Sequence, residues 1–364
     1  MSPQPRPGIL DVAPYVGGES KAEGANRVIR LASNENALGP SPKAVAAYEA
    51  EKDALHRYPD GGALGLRQAI AAAEGLPAEQ IVCGAGSDEL IALLVRAYAG
   101  PGDEVLTSAH AFLMYGISAR TAGAALVAAP ETALTADVDA LLARVTEKTR
   151  ILFLANPNNP TGSYISEAAL RRLHAGLPPS VLLVIDAAYA EYVTAPDYPQ
   201  AAGLVEEADN VVMLRTFSKI HALAALRLGW AYAPPAVIDV LNRVRGPFNV
   251  SQAAQAAGIA AIGDRTHIAR SVEHNNQWRG WFAEAAQAAG VEPLPGVGNF
   301  VLLRFPGGQS QAESALAALK RRGVLLRGVA AYGLANCLRA TVGTEEEMRI
   351  TAEALAEALK ESVA

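Results

Sequence analysis

Lys219 ends the sequence Arg-Thr-Phe-Ser-Lys, which follows an apolar run at residues 211–214 that we predict to be a buried strand. Burial disfavours the charged form of an amine and lowers its pKa. A lysine whose amine is neutral can form an imine with a carbonyl compound. By itself, a lysine in this place is usually a solvated residue at a helix start, so the neighbouring residues decide the interpretation.

Arg227 lies eight residues later, inside the apolar stretch 222–230, where an unpaired guanidinium would be costly to bury. Thr216 and Ser218 place hydroxyl groups close to Lys219 in the sequence. Together these groups could hold a phosphate beside the lysine. The alternative is that Arg227 forms a structural ion pair with a carboxylate in the core.

Two further strand ends supply groups that could bind a ring. Asp186 follows a predicted strand at 181–185, at the carboxyl edge of the sheet, where α/β proteins bind ligands. A carboxylate beside a pyridine nitrogen keeps it protonated, which makes the ring an electron sink, and Tyr189 could donate a hydrogen bond to a ring oxygen. Prolines stiffen the loop 155–162 and direct Asn159 toward the same oxygen. The alternative for Asp186 is a helix cap.

Gly86, Ser87 and Asp88 join a predicted strand to a helix, and the backbone N–H groups at a helix start bind phosphate well. The sequence is not a dinucleotide-binding fingerprint, because Glu89 replaces the third glycine of G-x-G-x-x-G. Without the other motifs, this segment would be interpreted as an ordinary turn into a helix.

The composition indicates a packed globular protein: of 364 residues, 51% are hydrophobic and 19% are charged, with a net charge of −6. No cluster of lysine and arginine indicates binding to nucleic acid or to a membrane surface. No apolar run approaches the roughly 18 residues of a membrane span. Cys83 and Cys337 lie far apart, which favours free buried thiols and no metal site. We therefore expect a cytoplasmic enzyme.

Short apolar runs alternate with helical patterns, which predicts an α/β fold with a mainly parallel sheet between helices. The predicted strands of this sheet are residues 80–83, 104–108, 125–128, 150–154, 181–185, 211–214 and 226–231. A long helix over about 265–289 leads into a smaller α/β domain, in which Ser310 is a candidate N-cap. We predict an arm and part of the small domain at 1–40, a large domain at 41–262, and the rest of the small domain at 263–364.

In this order and spacing, the motifs resemble the histidinol-phosphate aminotransferase family, within the fold-type I enzymes that use pyridoxal 5'-phosphate (PLP). The resemblance covers nearly the whole chain. It depends on Pro14-Tyr15, the segment 31–40 (Leu-Ala-Ser-Asn-Glu-Asn-Ala-Leu-Gly-Pro), Arg57-Tyr-Pro-Asp60, Gly86-Ser-Asp-Glu89, Asn158-Asn-Pro-Thr-Gly162, Thr216-Phe-Ser-Lys219 with Arg227, and Leu338-Arg-Ala-Thr-Val-Gly343.

The resemblance implies a role for each matching residue. Lys219 would be the Schiff-base lysine and Asp186 the partner of the ring nitrogen, with Asn159 and Tyr189 on the ring hydroxyl and Phe112 on the ring face. The phosphate of PLP would be held by Gly86, Ser87, Asp88, Thr216, Ser218 and Arg227, and by Tyr58 from the partner subunit of a homodimer. Substrate would be bound by Tyr15, Asn34, Asn159, Arg327 and Arg339. For Phe112 the alternative is a core residue, and for Arg339 a structural ion pair.

The implied reaction exchanges an amino group between histidinol phosphate and 2-oxoglutarate in histidine biosynthesis. The sequence departs from the family at Ala187, where Glu is usual, and at Ala37, where Pro is usual. Three alternatives stay open: an aromatic amino-acid aminotransferase on the same scaffold, a PLP-dependent decarboxylase of a phosphorylated amino acid, and a regulator that binds PLP without turnover.

Overall fold

The computed structural model of the chain describes residues 3–6, 8–22 and 27–361. The strands in this part of the chain are β1 (Ile29–Arg30), β2 (Ile81–Gly84), β3 (Glu104–Ser108), β4 (Ala125–Ala129), β5 (Glu131–Thr132), β6 (Thr135–Ala136), β7 (Thr149–Ala155), β8 (Leu182–Asp186), β9 (Val211–Thr216), β10 (Gly229–Tyr232), β11 (Glu292–Leu294), β12 (Phe300–Arg304), β13 (Val324–Leu325), β14 (Arg327–Gly328) and β15 (Cys337–Thr341).

The α-helices of the described chain lie between these strands and at both ends of the sheet-forming region. They are α1 (Pro42–Ala50), α2 (Leu64–Glu74), α3 (Ser87–Tyr98), α4 (Leu113–Ala122), α5 (Val138–Ala143), α6 (Glu167–Gly176), α7 (Ala201–Glu207), α8 (Pro235–Val244), α9 (Gln252–Gly263), α10 (Arg265–Ala288), α11 (Gly308–Arg321) and α12 (Glu345–Glu361).

A seven-stranded sheet of order β2-β10-β9-β8-β7-β3-β4 forms the larger part of the molecule. Its strands are parallel except β10, which runs antiparallel to both β2 and β9. Successive residues of β7 pack into different apolar cores: Leu152 and Leu154 on one face, Ile151 and Phe153 on the other. This alternation buries both faces of the sheet, as the continuous apolar runs predict. The predicted α/β fold is confirmed.

A second sheet, of order β11-β12-β15-β14, packs with α10, α11 and α12 around a separate apolar core. Trp278 and Phe282 of α10 belong to this core. Ile29 and Leu31 join it as well, because β1 pairs with β13. The segment after β1 stays beside the smaller sheet, since the Leu31 carbonyl and the Asn34 N–H both bond to Thr341. The domain boundaries at residues 40 and 262 stay predictions.

Two local predictions are wrong. Ser310 is not an N-cap: α11 already begins at Gly308, after the cap residue Gly307, whose amide donates to the Gln311 side chain at 2.7 Å. The strand predicted at 226–231 begins only at Gly229, since Ala224–Leu226 form a 3-10 turn and Arg227 has a left-handed backbone (φ 50°).

Both cysteines are free and buried, as predicted. Within the described ranges, no helix combines the length and the apolar character that crossing a bilayer requires.

Candidate active site

A cavity of about 270 Å³ lies at the carboxyl edge of the large sheet, where the ends of β7, β8 and β9 face the smaller core. All of the predicted site residues line this cavity except Gly86 and Tyr58. Residues that are up to about 300 positions apart in the chain therefore meet at one sheet edge, the position at which parallel α/β sheets bind ligands.

Lys219 projects into the cavity three residues beyond the end of β9. Its amine donates a hydrogen bond to the Ser33 carbonyl at 3.0 Å, and it lies 5.8 Å from the centre of the Tyr189 ring. Burial, and secondarily the positive charge of Arg339, lower the pKa of Lys219 to about 8. About a tenth of this amine is therefore neutral, and nucleophilic, at pH 7, far more than for an ordinary lysine.

Asp186 is the last residue of β8 and is buried, with 6% of its surface exposed. Its Oδ2 accepts a hydrogen bond from the Tyr115 hydroxyl at 2.7 Å, whereas Oδ1 has no partner among the described residues. Burial raises the pKa of Asp186 to about 6, although the Tyr115 hydrogen bond and the backbone N–H of Ala188 act in the opposite direction. A buried carboxylate oxygen without a donor is costly, so it indicates a place for a protonated group of a ligand.

Tyr189 and Asn159 occupy the side of the cavity that faces the smaller core. The Tyr189 hydroxyl accepts a hydrogen bond from the Asn34 amide at 2.9 Å, and burial raises the pKa of Tyr189 to about 12. Asn34 is itself held by Thr341, to which its backbone N–H donates at 2.9 Å. The Asn159 side-chain oxygen accepts from Arg339. Hydrogen bonds thus join polar residues that follow strands of the large sheet to polar residues of the smaller sheet.

One end of the cavity lies where α3 begins and β9 ends. Arg227 donates to the Ser218 hydroxyl at 3.3 Å and to the Asp88 carboxylate at 3.0 Å. A side chain at Gly86 would place its Cβ only 2.5 Å from Arg227, so glycine permits this approach. Ser87 begins α3, and Ser87 and Asp88 line the cavity, so the N–H groups of the helix start lie beside it. Hydroxyl, guanidinium and backbone N–H donors therefore converge here.

Gly229 brings two backbones together at the same end of the cavity. A Cβ at this position would lie 2.4 Å from the Ser87 nitrogen and 2.6 Å from the Gly86 carbonyl carbon. The close approach holds the start of α3 against β10, beside the end of β9. Only glycine fits here, and the alternation of the neighbouring strand residues gives no indication of that.

Two arginines from the smaller sheet line the mouth of the cavity. Arg339 is buried (5% exposed), donates to the Ala32 carbonyl at 2.8 Å, and lies over the Phe300 ring at 5.3 Å. Its Nε has no partner among the residues that the structure describes, and burial lowers its pKa. Arg327 donates to the Val16 carbonyl at 2.7 Å and lies 5.9 Å from the Tyr15 ring. The N-terminal segment therefore covers the mouth on this side.

Tyr58 lies apart from the cavity of its own chain. It is 82% exposed and stacks on Phe248 with 4.6 Å between ring centres. Phe112, in contrast, lines the cavity just before α4.

The sequence analysis missed Tyr115 and Ser33, which both contact predicted site residues. Tyr115 has a detectable signal, because it lies three residues after Phe112 on a predicted helix and so lies close to the same face. Ser33 acts through its backbone carbonyl, which no side-chain pattern reveals.

The family model of the class I and II aminotransferases matches residues 26–355. The fold and the arrangement of lysine, aspartate and phosphate-binding groups at the sheet edge agree with that class of protein.

Two relatives are similar over essentially the whole chain. The histidinol-phosphate aminotransferase of Rhodospirillum centenum is 59% identical, with 98% of this chain and 99% of the relative covered. That of Paramagnetospirillum magneticum is 55% identical, covering 98% of each. A crystal structure of the Sinorhizobium meliloti histidinol-phosphate aminotransferase in complex with pyridoxal-5'-phosphate is 28% identical, with a TM-score of 0.91, and covers 100% of this chain and 99% of the other. The chain belongs to the histidinol-phosphate aminotransferase family and has the fold of the fold-type I PLP enzymes.

Proposed function

We propose that this chain is a PLP-dependent transaminase that exchanges the amino group between L-histidinol phosphate and 2-oxoglutarate in histidine biosynthesis. One observation supports it above the others: a lysine with a lowered pKa and a buried carboxylate oxygen without a donor among the described residues face one cavity. The full-length identity with histidinol-phosphate aminotransferases agrees with it. The cytoplasmic location stays a prediction.

The residues of the cavity fit PLP by their chemistry. Asp186 Oδ1 would accept a hydrogen bond from the protonated ring nitrogen. Asn159 and Tyr189 would bind the ring hydroxyl, and Phe112 would lie on the ring face. The phosphate would be bound by the backbone N–H groups of Ser87 and Asp88 at the start of α3 and by the side chains of Thr216, Ser218 and Arg227. When bound, the cofactor supplies an electron sink for the carbon that carries the amino group.

Lys219 and Asp186 have separate proton tasks. Lys219 Nζ would take a proton from the amine-bearing carbon of the donor substrate and hold it for return, because its lowered pKa leaves part of the amine free as a base near neutral pH. Asp186 would stay ionised and hold a proton at the ring nitrogen. Tyr115, through its hydrogen bond, favours that ionised form.

Both substrates of the proposed reaction are anionic. Histidinol phosphate bears a phosphate, whereas 2-oxoglutarate bears two carboxylates. Arg339 and Arg327 lie at the same mouth, where planar guanidinium groups could bind either group through paired hydrogen bonds. Arg327 now binds the Val16 carbonyl, a contact that an anionic substrate could replace. We therefore assign substrate binding to these two arginines, with Tyr15 and Asn34 beside them.

The first experiment tests the cofactor. Purified protein should be yellow, and borohydride should fix the cofactor on Lys219, whereas Lys219→Ala should lack the absorption band. Protein that stays colourless with excess PLP would contradict the proposal. The second experiment is a panel of amino donors with 2-oxoglutarate as the common acceptor. Histidinol phosphate should have a higher kcat/KM than phenylalanine, and the reverse order would assign the chain to aromatic transamination.

We further propose a homodimer in which Tyr58 reaches the cofactor phosphate of the partner subunit. Large apolar side chains are exposed together on α1, α2, α9 and the segments next to them. They are Val45, Tyr48, Leu55, Tyr58, Leu64, Phe248 and Ile259. An exposed apolar surface of this kind is typical of an interface between subunits.

Mixed dimers test the placement of Tyr58. If Tyr58 acts across the interface, mixing inactive Lys219→Ala with weakened Tyr58→Ala restores activity, because each mixed dimer then contains one intact site. If Tyr58 acts within its own chain, no mixed dimer has an intact site and activity does not rise. Light scattering of the unmixed protein checks the dimer itself.

A further inference from the structure

Tyr115 is a buried side chain that lines the cavity and is held by one hydrogen bond and two ring contacts. It lies on α4 and is fully buried, although its hydroxyl reaches Asp186 Oδ2 at 2.7 Å. Its ring stacks on Phe153, with 4.5 Å between the ring centres and 3° between the planes. It also makes a T-shaped contact with the Phe112 ring, with 5.8 Å between the ring centres and 88° between the planes. Packing therefore leaves the Tyr115 hydroxyl a single direction.

That hydroxyl decides how the Asp186 carboxylate is presented. With Oδ2 held by Tyr115, Oδ1 is the oxygen left for a ligand, and it has no partner within the described part of the chain. The other titratable groups near this carboxylate are Asp88, which disfavours its negative charge, and Lys219, which favours it. Tyr189 faces Tyr115 from the next turn of chain beyond β8. The Tyr115 hydrogen bond thus opposes the cost of burying the charge, and the backbone N–H of Ala188 does so to a smaller extent.

We propose that Tyr115 is a positioning residue: it aims Asp186 Oδ1 at the ring nitrogen of the cofactor and keeps the carboxylate ionised near neutral pH. The inference rests on the proposed function, since it assumes that Asp186 binds the cofactor ring. It also joins two parts of the site, because the same ring supports Phe112 on the proposed ring face.

The test compares two Tyr→Phe variants of the holoenzyme. Tyr115→Phe removes the hydroxyl and keeps the ring packing. Tyr232→Phe is the matched control, because the Tyr232 ring is also fully buried, and its hydroxyl also faces a carboxylate, Glu206, at 3.4 Å outside the cavity. PLP dissociation constants are measured by absorbance between pH 6 and 8.5, with thermal unfolding of each protein as the check on folding.

We expect Tyr115→Phe to bind PLP about tenfold more weakly at pH 6.5, as the loss of a hydrogen bond to a charged group predicts. The difference in PLP affinity between Tyr115→Phe and the wild type should shrink above pH 8. Without the Tyr115 hydroxyl the pKa of Asp186 is still higher, so the carboxylate of the variant becomes ionised only at higher pH. Tyr232→Phe should match the wild type. Affinity that is unchanged in Tyr115→Phe, or reduced equally at every pH, overturns the inference. A wild-type protein that binds no PLP would instead overturn the proposed function.

Discussion

Replacing Arg339 by alanine should lower kcat/KM with every anionic substrate. Arg339 is buried, and its guanidinium donates to Asn159 and to the Ala32 carbonyl. Both of these partners are neutral, so its positive charge has no carboxylate beside it among the described residues. A substrate anion would supply that partner. Alanine removes both the charge and the support of Asn159.

The expected magnitude follows from the burial of this charge. Truncating one partner of a buried, hydrogen-bonded charge pair costs about 2–5 kcal/mol. Because each 1.36 kcal/mol is a factor of ten, kcat/KM should fall by about 30-fold to several thousand-fold. The matched control is Arg304→Ala on the neighbouring strand β12. Arg304 pairs with Glu292 at the surface, and exposed pairs contribute about 0–1 kcal/mol, so turnover should be almost unchanged.

The assay measures steady-state kinetics with histidinol phosphate and, separately, with glutamate as the donor. Thermal unfolding and the cofactor absorption band are recorded for each variant, so that a folding defect is recognised. If Arg339→Ala stays within about threefold of the wild type with both donors, the charge does not bind substrate. Arg339 would then serve only to support Asn159 and the segment at Ala32.

Three further predictions concern the floor and the phosphate end of the cavity. In cofactor-free protein, acylation of Lys219 should rise with pH around a midpoint near 8, because the protonated amine is unreactive below its lowered pKa; a midpoint near 10.5 would contradict the burial argument. Asp186→Asn keeps the shape of the side chain but removes its charge. We therefore expect the single-turnover rate constant to fall roughly a hundredfold or more. A normal rate constant would exclude the role of Asp186 at the ring nitrogen. Gly229→Ala would force a Cβ against the backbone of Ser87, so PLP affinity and Tm should both fall, as dialysis and thermal scans can show.

Much of the fold was predictable because both faces of the large sheet are buried. The sequence is continuously apolar at residues 151–155 in β7, 182–185 in β8 and 211–214 in β9, and that pattern indicates a parallel sheet covered by helices. The predictions were wrong where backbone conformation mattered more than pattern. The left-handed conformation of Arg227 shortens the predicted strand, and Gly308, with φ of 77°, begins α11 earlier than Ser310 would.

The site was predictable where the chemistry resides in unusual residues at strand ends, as for Lys219 and Asp186. It was not predictable where a contact depends on tertiary packing. The Tyr115 hydroxyl reaches Asp186 across 71 positions of sequence, and the Ser33 carbonyl reaches Lys219 across 186. The Ser33 carbonyl is not marked by its sequence neighbourhood. The spacing of Tyr115 from Phe112 places its ring near the site, but it does not predict that the hydroxyl reaches Asp186.

The short segment between Leu31 and Asn34 links the stability of the smaller core to the retention of the cofactor in the cavity. Leu31 is packed in the smaller core, whereas the Ser33 carbonyl and the Asn34 side chain reach Lys219 and Tyr189. Loosening of the C-terminal lobe would therefore withdraw contacts from the lysine while the large sheet is still intact. Substitutions that weaken this lobe far from the cavity, such as Phe282→Ala, should show themselves as leakage of the cofactor at temperatures well below the main unfolding transition.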